Sequence, residues 1–329
     1  MSILDYGGYH NPKYAHLEHY CNRMYKSFWT PGAYKSLIEE QDAPYYHNVM
    51  GEVDKEAIKR CLLSIATVEN KVKAFWMNLH NDIPQTVISD VGGLFGAQEV
   101  IHRQIYEHLL NVLRIDTNDI EQYPPLANKI KYLKKYLEKD NKTKGKRGVL
   151  KRLVLFTALT ERLSLFTSFY ILSSWSNAKR GLDTISAVQK STAQEELYMH
   201  YAFGLDLTNI IKEEEPNLWN DYMQELVTKS IAQSYKAELE LIDWFFEKGV
   251  PNHITKEEVV NFLNYNFKEL CFDFEIDLEY HVDEDLFREK NLWMMVRLSG
   301  NTNSDFFNNE TGNYSNQEEI IDNTDNFKF

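Results

Sequence analysis

The strongest constraint on this chain is a succession of long segments with apolar residues three and four positions apart. That spacing matches the period of an α-helix rather than the alternation of a strand. Only 14 glycines and 8 prolines interrupt 329 residues. The pattern predicts an all-α fold with seven long helical segments, over 54–80, 87–114, 120–138, 149–176, 180–212, 217–247 and 255–278. In the first, Ile58, Leu62, Ile65, Val72 and Phe75 fall on or near one face. Asp54 is placed to cap its start. Gly92, Gly93 and Gly96 are expected to loosen the second segment, and Pro124-Pro125 to break the third early.

Charge and cysteine usage narrow the setting. A net charge of -13 disfavours nonspecific binding to nucleic acid or to an anionic membrane. Cys21, Cys61 and Cys271 are scattered and form no CxxC pair, so buried thiols in a reducing cytoplasm are expected. The start, MSILDYGGYHNPKY, lacks a basic run followed by an apolar one, and no signal peptide is expected. The most apolar stretch, Leu153 to Trp175, carries Glu161 and Arg162 at its centre. That pair suits a core helix better than a membrane span. Residues 139–148, KDNKTKGKRG, read as a solvated loop. Residues 301–329 are too rich in Asn, Asp, Glu and Ser to form a core, so they are expected to be a flexible tail following a single helical domain over 1–300.

Four helical segments place carboxylates in apolar or mixed surroundings. These are Glu69 in SIATVENKV, Glu99 in AQEVIHRQIY, Glu161 in TALTERLSLF, and Glu195-Glu196 in TAQEELYMHYAFG. His102 follows Glu99 by three residues and His200 follows Glu196 by four. A Glu-x-x-His step sets both side chains about 60 degrees apart on one helix face. Two helices with a Glu and two with a Glu/His pair are the ligand recipe for a two-metal site inside a four-helix bundle. Carboxylates can bridge and neutralise two cations, imidazoles add one neutral donor to each, and iron or manganese accepts both donor types. A single Glu/His pair is more often an exposed pair than a ligand set; here the order of all four segments carries the reading.

The stretch AQEVIHRQIYEHLL resembles the Glu-x-x-His-x-x-x-Tyr signature of the class I ribonucleotide reductase small subunit, a ferritin-like protein. The resemblance implies that Glu99 and His102 are metal ligands and that Tyr106 carries a radical. It also implies that Glu69 takes the place of the first ligand, usually Asp, and that Glu161, Glu196 and His200 complete the set. Leu165 and Phe169 match residues that shield the site. FWTP resembles the family's Trp-x-Pro element, which makes Trp29 a radical-relay residue. Glu195 falls where an Asp usually links that tryptophan to the metal-bound His. DFFNNETGNYS resembles the tail segment with the relay tyrosine, here Tyr314. The implied activity is formation of a Tyr106 radical at a di-iron, di-manganese or mixed centre. The radical is then passed to a separate large subunit that reduces ribonucleotides to deoxyribonucleotides. A homodimer docking that partner through its tail is implied as well.

Two departures from the pattern matter. Glu69 is one methylene longer than the usual Asp. The step from Glu196 to His200 is four residues where the family has three. A regular helix keeps both on one face, a π-bulge absorbs one residue, or Glu195 and Tyr198 take the three-residue geometry instead. Two other functions remain open at this point: a ferritin-like oxidase acting directly on a small molecule, and a metal-free helical interaction protein.

Overall fold

A computed structural model describes residues 2–9, 11–118, 120–137 and 145–300; the side chains of residues 69–71, 121 and 134–137 also lie outside the description. The description is helical, with no strand among the described residues. The chain divides into Met1–Leu298 and Ser299–Phe329. Tyr314 and the predicted tail lie outside the described residues.

Three short helices come first: α1 (His19–Ser27), α2 (Gly32–Leu37) and α3 (Ala43–Asn48). The bundle follows. α4 (Glu52–Asn78) and α5 (Thr86–Val112) form a long hairpin, and α6 (Pro124–Leu137) crosses beside it. α7 (Gly145–Leu155) runs into a π-helical segment, Phe156–Leu163, and α8 (Phe166–Asn177). α9 (Asp183–Glu195) runs into a second π segment, Glu196–Tyr201, and α10 (Ala202–Glu214). α11 (Asp221–Phe245) and α12 (Lys256–Phe274) pack outside. α4 packs on α8, α8 on α9, and the two π segments on each other. The result is a ferritin-like four-helix core with added helices.

The predicted apolar stripe is the seam of α4: Ile58, Leu62, Ile65 and Val72 are all buried, and Phe75 stacks on Phe156 with ring centroids 3.7 Å apart. Each buried side chain of this size stabilises the fold by about 1.5–3 kcal/mol. The glycines of α5 do not loosen it. A Cβ on Gly92 would lie 2.5 Å from the Trp76 carbonyl oxygen, so this glycine lets α4 and α5 approach at backbone contact. Gly204 instead makes room on α10 for the Thr157 side chain, whose Oγ1 would lie 2.1 Å from a Cβ there.

Other expectations are revised. α4 starts at Glu52 with Gly51 before it, so Asp54 sits in the first turn, where it accepts the Trp175 indole N–H at 3.2 Å. α6 begins at Pro124, because proline lacks the N–H that a first turn leaves unpaired. Residues 145–148, expected as loop, are already helical; 138–144 lie outside the described residues. The single helix expected over 149–176 is interrupted at Ser164-Leu165. There the Ser164 N–H reaches back five residues to the Leu159 carbonyl. No described helix is long and apolar enough to cross a membrane. Arg162, in the most apolar stretch, is buried, donates to Asn266 and lies over the rings of Phe166 and Tyr201. The three cysteines are buried and free.

Candidate metal centre

The two π segments and α5 meet at a buried cluster. Glu99, Glu161, Glu196 and His200 each offer a donor atom, all within 4.8 Å of one another. His102 joins them through Nδ1, 3.3 Å from Glu99 Oε2 and 3.2 Å from Glu196 Oε1. His200 Nδ1 lies 3.0 Å from Glu99 Oε1, 3.1 Å from Glu196 Oε2 and 3.5 Å from Glu161 Oε2. Glu99 and Glu196 therefore each turn one oxygen to His102 and the other to His200. Glu161 stands on the His200 side alone. The side chain of Glu69, on α4, lies outside the described residues.

Helix geometry explains the register at His200. Three residues of α-helix fall short of a full turn and four overshoot it. A π-helix has about 4.4 residues per turn, so its fourth residue again falls short. The π segment lets Glu196 and His200, four apart, lean the same way as Glu99 and His102, three apart. Tyr198 is half-buried, whereas Glu196 and His200 are fully buried.

The outer nitrogens of both imidazoles are engaged. His102 Nε2 lies 2.7 Å from Glu195 Oε2, and His200 Nε2 lies 2.9 Å from Gln98 Oε1. This leaves each Nδ1 facing inward, the arrangement that orients metal-binding histidines. Trp76 donates its indole N–H to Glu161 Oε1 at 3.0 Å. Trp29 stacks on His102, with centroids 6.1 Å apart; among the described residues its buried Nε1 has no hydrogen-bond partner, and Glu195 reaches His102 rather than Trp29. Tyr106 is buried on α5 one turn beyond His102 and donates to Gln189 Oε1 at 2.9 Å. Leu165 and Phe169 are buried too.

The electrostatics call for cations. Burial opposes charge on both imidazoles, yet the carboxylates around them outweigh it and hold His102 and His200 well above the ordinary value. Burial, with the charge of Glu196 adding to it, raises Glu161. For Glu196 burial is outweighed by His200 and the other partners, and its carboxyl is pulled far down. Among the described residues, both oxygens of Glu99, Glu161 Oε2 and His102 Nδ1 are buried without a hydrogen-bond partner. Such groups are expensive to bury alone, and metal ions would satisfy them together. The donor set fits a metal site.

Trp76, Gln98 and Gln189 were not singled out from the sequence. Trp76 stands seven residues, two turns, after Glu69, and Gln189 seven before Glu196. That shared face was the available signal. Gln98 had none.

Fold and site together define a ferritin-like di-metal carboxylate protein. A family model described as ribonucleotide reductase, small chain, matches residues 8–288, and the chain belongs to that family. No curated protein matches the sequence. Among solved structures, a putative class I ribonucleotide reductase from Bacillus halodurans aligns with a TM-score of 0.74 and 15% identity, over 86% of this chain and 99% of that one. The dimanganese(II)-NrdF of Streptococcus sanguinis aligns with a TM-score of 0.63 and 16% identity, over 86% and 95%. The ribonucleotide reductase Rnr4 homodimer of Saccharomyces cerevisiae aligns with a TM-score of 0.67 and 14% identity, over 85% and 86%. At such identities the likeness is one of fold.

Proposed function

We propose that this chain is the radical-generating subunit of a class I ribonucleotide reductase, with two iron or manganese ions held by Glu69, Glu99, His102, Glu161, Glu196 and His200. The observation that carries this reading is the two-sided presentation of Glu99 and Glu196 between two inward-facing imidazoles, with Tyr106 one turn further along α5. When bound, the metals supply an oxidising equivalent able to remove an electron from a phenol.

The chain's own residues organise that chemistry. Glu195 and Gln98 fix the imidazoles. The buried pocket around Tyr106 excludes water and reductants from a stored radical. Trp29, against His102, is the first relay residue; Glu195 joins the relay through its bond to His102 Nε2, and Tyr314 is the relay residue nearest the partner. Residues 1–300 form the di-metal domain. Residues 301–329 dock a large catalytic subunit, with Phe327 and Phe329 as apolar anchors. The protein acts as a cytoplasmic homodimer, and neither nucleic acid nor membrane has a part.

Metal analysis with electron paramagnetic resonance on the active protein tests the reading. Tyr106→Phe is expected to keep its metals while losing the stable signal that belongs to Tyr106, together with ribonucleotide reduction in the presence of the large subunit. A fully active Tyr106→Phe protein refutes the assignment. Deleting residues 322–329 is expected to spare the metals and the signal but abolish association; unchanged affinity for the large subunit refutes the docking role.

A further inference from the structure

A second line of aromatic residues leaves the centre from His200, whereas Trp29 stacks on His102. Trp76 is fully buried, donates to Glu161, and its ring lies 5.6 Å from that of His200. Phe203 lies 6.0 Å beyond Trp76, and Tyr20 lies 5.0 Å beyond Phe203. Phe95 runs in parallel, 5.2 Å from Trp76 and 6.4 Å from Tyr20. Tyr20, on α1, is 2% exposed and donates its phenol to Asp206 Oδ2 at 2.7 Å. The exposed ring of His19 packs 4.0 Å from Tyr20, so the line ends at solvent.

The chemistry of these residues is selective. Tryptophan and tyrosine give up one electron at potentials a protein site can reach; phenylalanine does not, and serves here as dry, close-packed medium. A tyrosine must also lose its proton when oxidised. Burial pushes the Tyr20 phenol far above its ordinary value, so it does not ionise beforehand. The Asp206 carboxylate stands ready as the base. Tyr106 donates to the amide oxygen of Gln189, a much weaker base.

We propose that Trp76 and Tyr20 form a second electron route, resting on the function proposed above, in which Tyr20 reduces the loaded and oxidised centre through Trp76 while its proton passes to Asp206. Trp76 gives one electron to the centre, and Tyr20 gives one electron to the oxidised Trp76. The Tyr20 O–H bond breaks toward Asp206 Oδ2, leaving a neutral tyrosyl radical and a neutral carboxylic acid. The route discharges the centre without using Tyr106.

The test uses the full chain loaded with iron(II), mixed with dioxygen and freeze-quenched for electron paramagnetic resonance, with ring-deuterated tyrosine to identify the signal. Tyr106→Phe is expected to develop a tyrosyl signal elsewhere. Adding Tyr20→Phe is expected to remove it and leave a tryptophan signal. Adding Asp206→Asn is expected to suppress it, because an amide cannot take the proton. Both positions lie away from the ligands, so metal content is expected to stay that of the parent. A tyrosyl signal of Tyr106→Phe that survives Tyr20→Phe, or no aromatic radical in Tyr106→Phe, overturns this route while a wild-type Tyr106 signal upholds the functional reading. A wild-type protein without any radical overturns both.

Discussion

At Glu99 one carboxylate faces both imidazoles, whereas Glu161 faces His200 alone. Truncating them should therefore have unequal effects. Glu99→Ala is expected to weaken both metal positions, and Glu161→Ala chiefly the one beside His200. Metal content per chain, measured after equilibration with limiting metal, checks this; equal losses in the two variants refute the distinction. At this scale the sequence was informative where residue chemistry was unusual for its surroundings. Glu99, Glu161 and Glu196 stand out because a carboxylate in an apolar stretch needs a reason, and the structure brings them together with both histidines. Trp76 did not stand out, because a tryptophan on an apolar face is ordinary core. Gln189 and Gln98 are neutral and small, and only their partners reveal their use.

Among the elements, the α4–α5 hairpin depends on backbone contact at Gly92. Gly92→Ala puts a methyl against the Trp76 carbonyl, which cannot rotate away, and is expected to destabilise the fold by about 1–3 kcal/mol. Gly93, one residue on, has nothing within 4 Å of a Cβ. Gly93→Ala is expected to be neutral or to stabilise by about 0.5–1 kcal/mol, since alanine is the better helix former. Urea unfolding of the two variants checks the contrast, and equal midpoints argue against it. The long helices were legible because their apolar period persists over many turns. The breaks were less so: a π turn or the interruption at Ser164-Leu165 changes the phase by one residue, and periodicity averaged over a segment hides that. The short helices α1 to α3 contain too few turns to show a period at all.

Across the whole molecule, Asp42 ties the N-terminal helices to the bundle by accepting the Ile185 N–H at 2.6 Å, at the start of α9. Burial raises its carboxyl from 3.8 to about 6, with the charge of Asp183 adding to the rise and the N–H bonds from Ile185 and Thr184 opposing it. The folded chain thus holds this proton more tightly than the unfolded chain does. The resulting stabilisation is present in acid and is lost as pH climbs from about 4 to about 6. Asp42→Asn lacks that dependence. The stability difference, wild type minus variant, is expected to fall by roughly 2–3 kcal/mol between pH 4 and pH 7. Unfolding of the metal-free proteins at the two pH values measures it, and a difference independent of pH contradicts it. The all-helical architecture was legible from composition and period together. This long-range tie was not, because an Asp between two short helices carries no mark of the distant N–H it meets.

The π segment at Glu196–Tyr201 also means that the helix holds one residue more than its packing requires. Deleting a residue inside a regular helix turns everything downstream by about a quarter of a turn, which would swing the buried face of α10 toward solvent. Here a deletion has slack to consume. Removing Tyr198 is expected to convert the segment to ordinary α-helix, keep α10 in phase with Gly204 still against Thr157, and bring His200 to the three-residue step from Glu196. Such a shortened chain should unfold cooperatively at or above the parent's melting temperature. The same deletion placed in the unbroken middle of α5 should abolish folding.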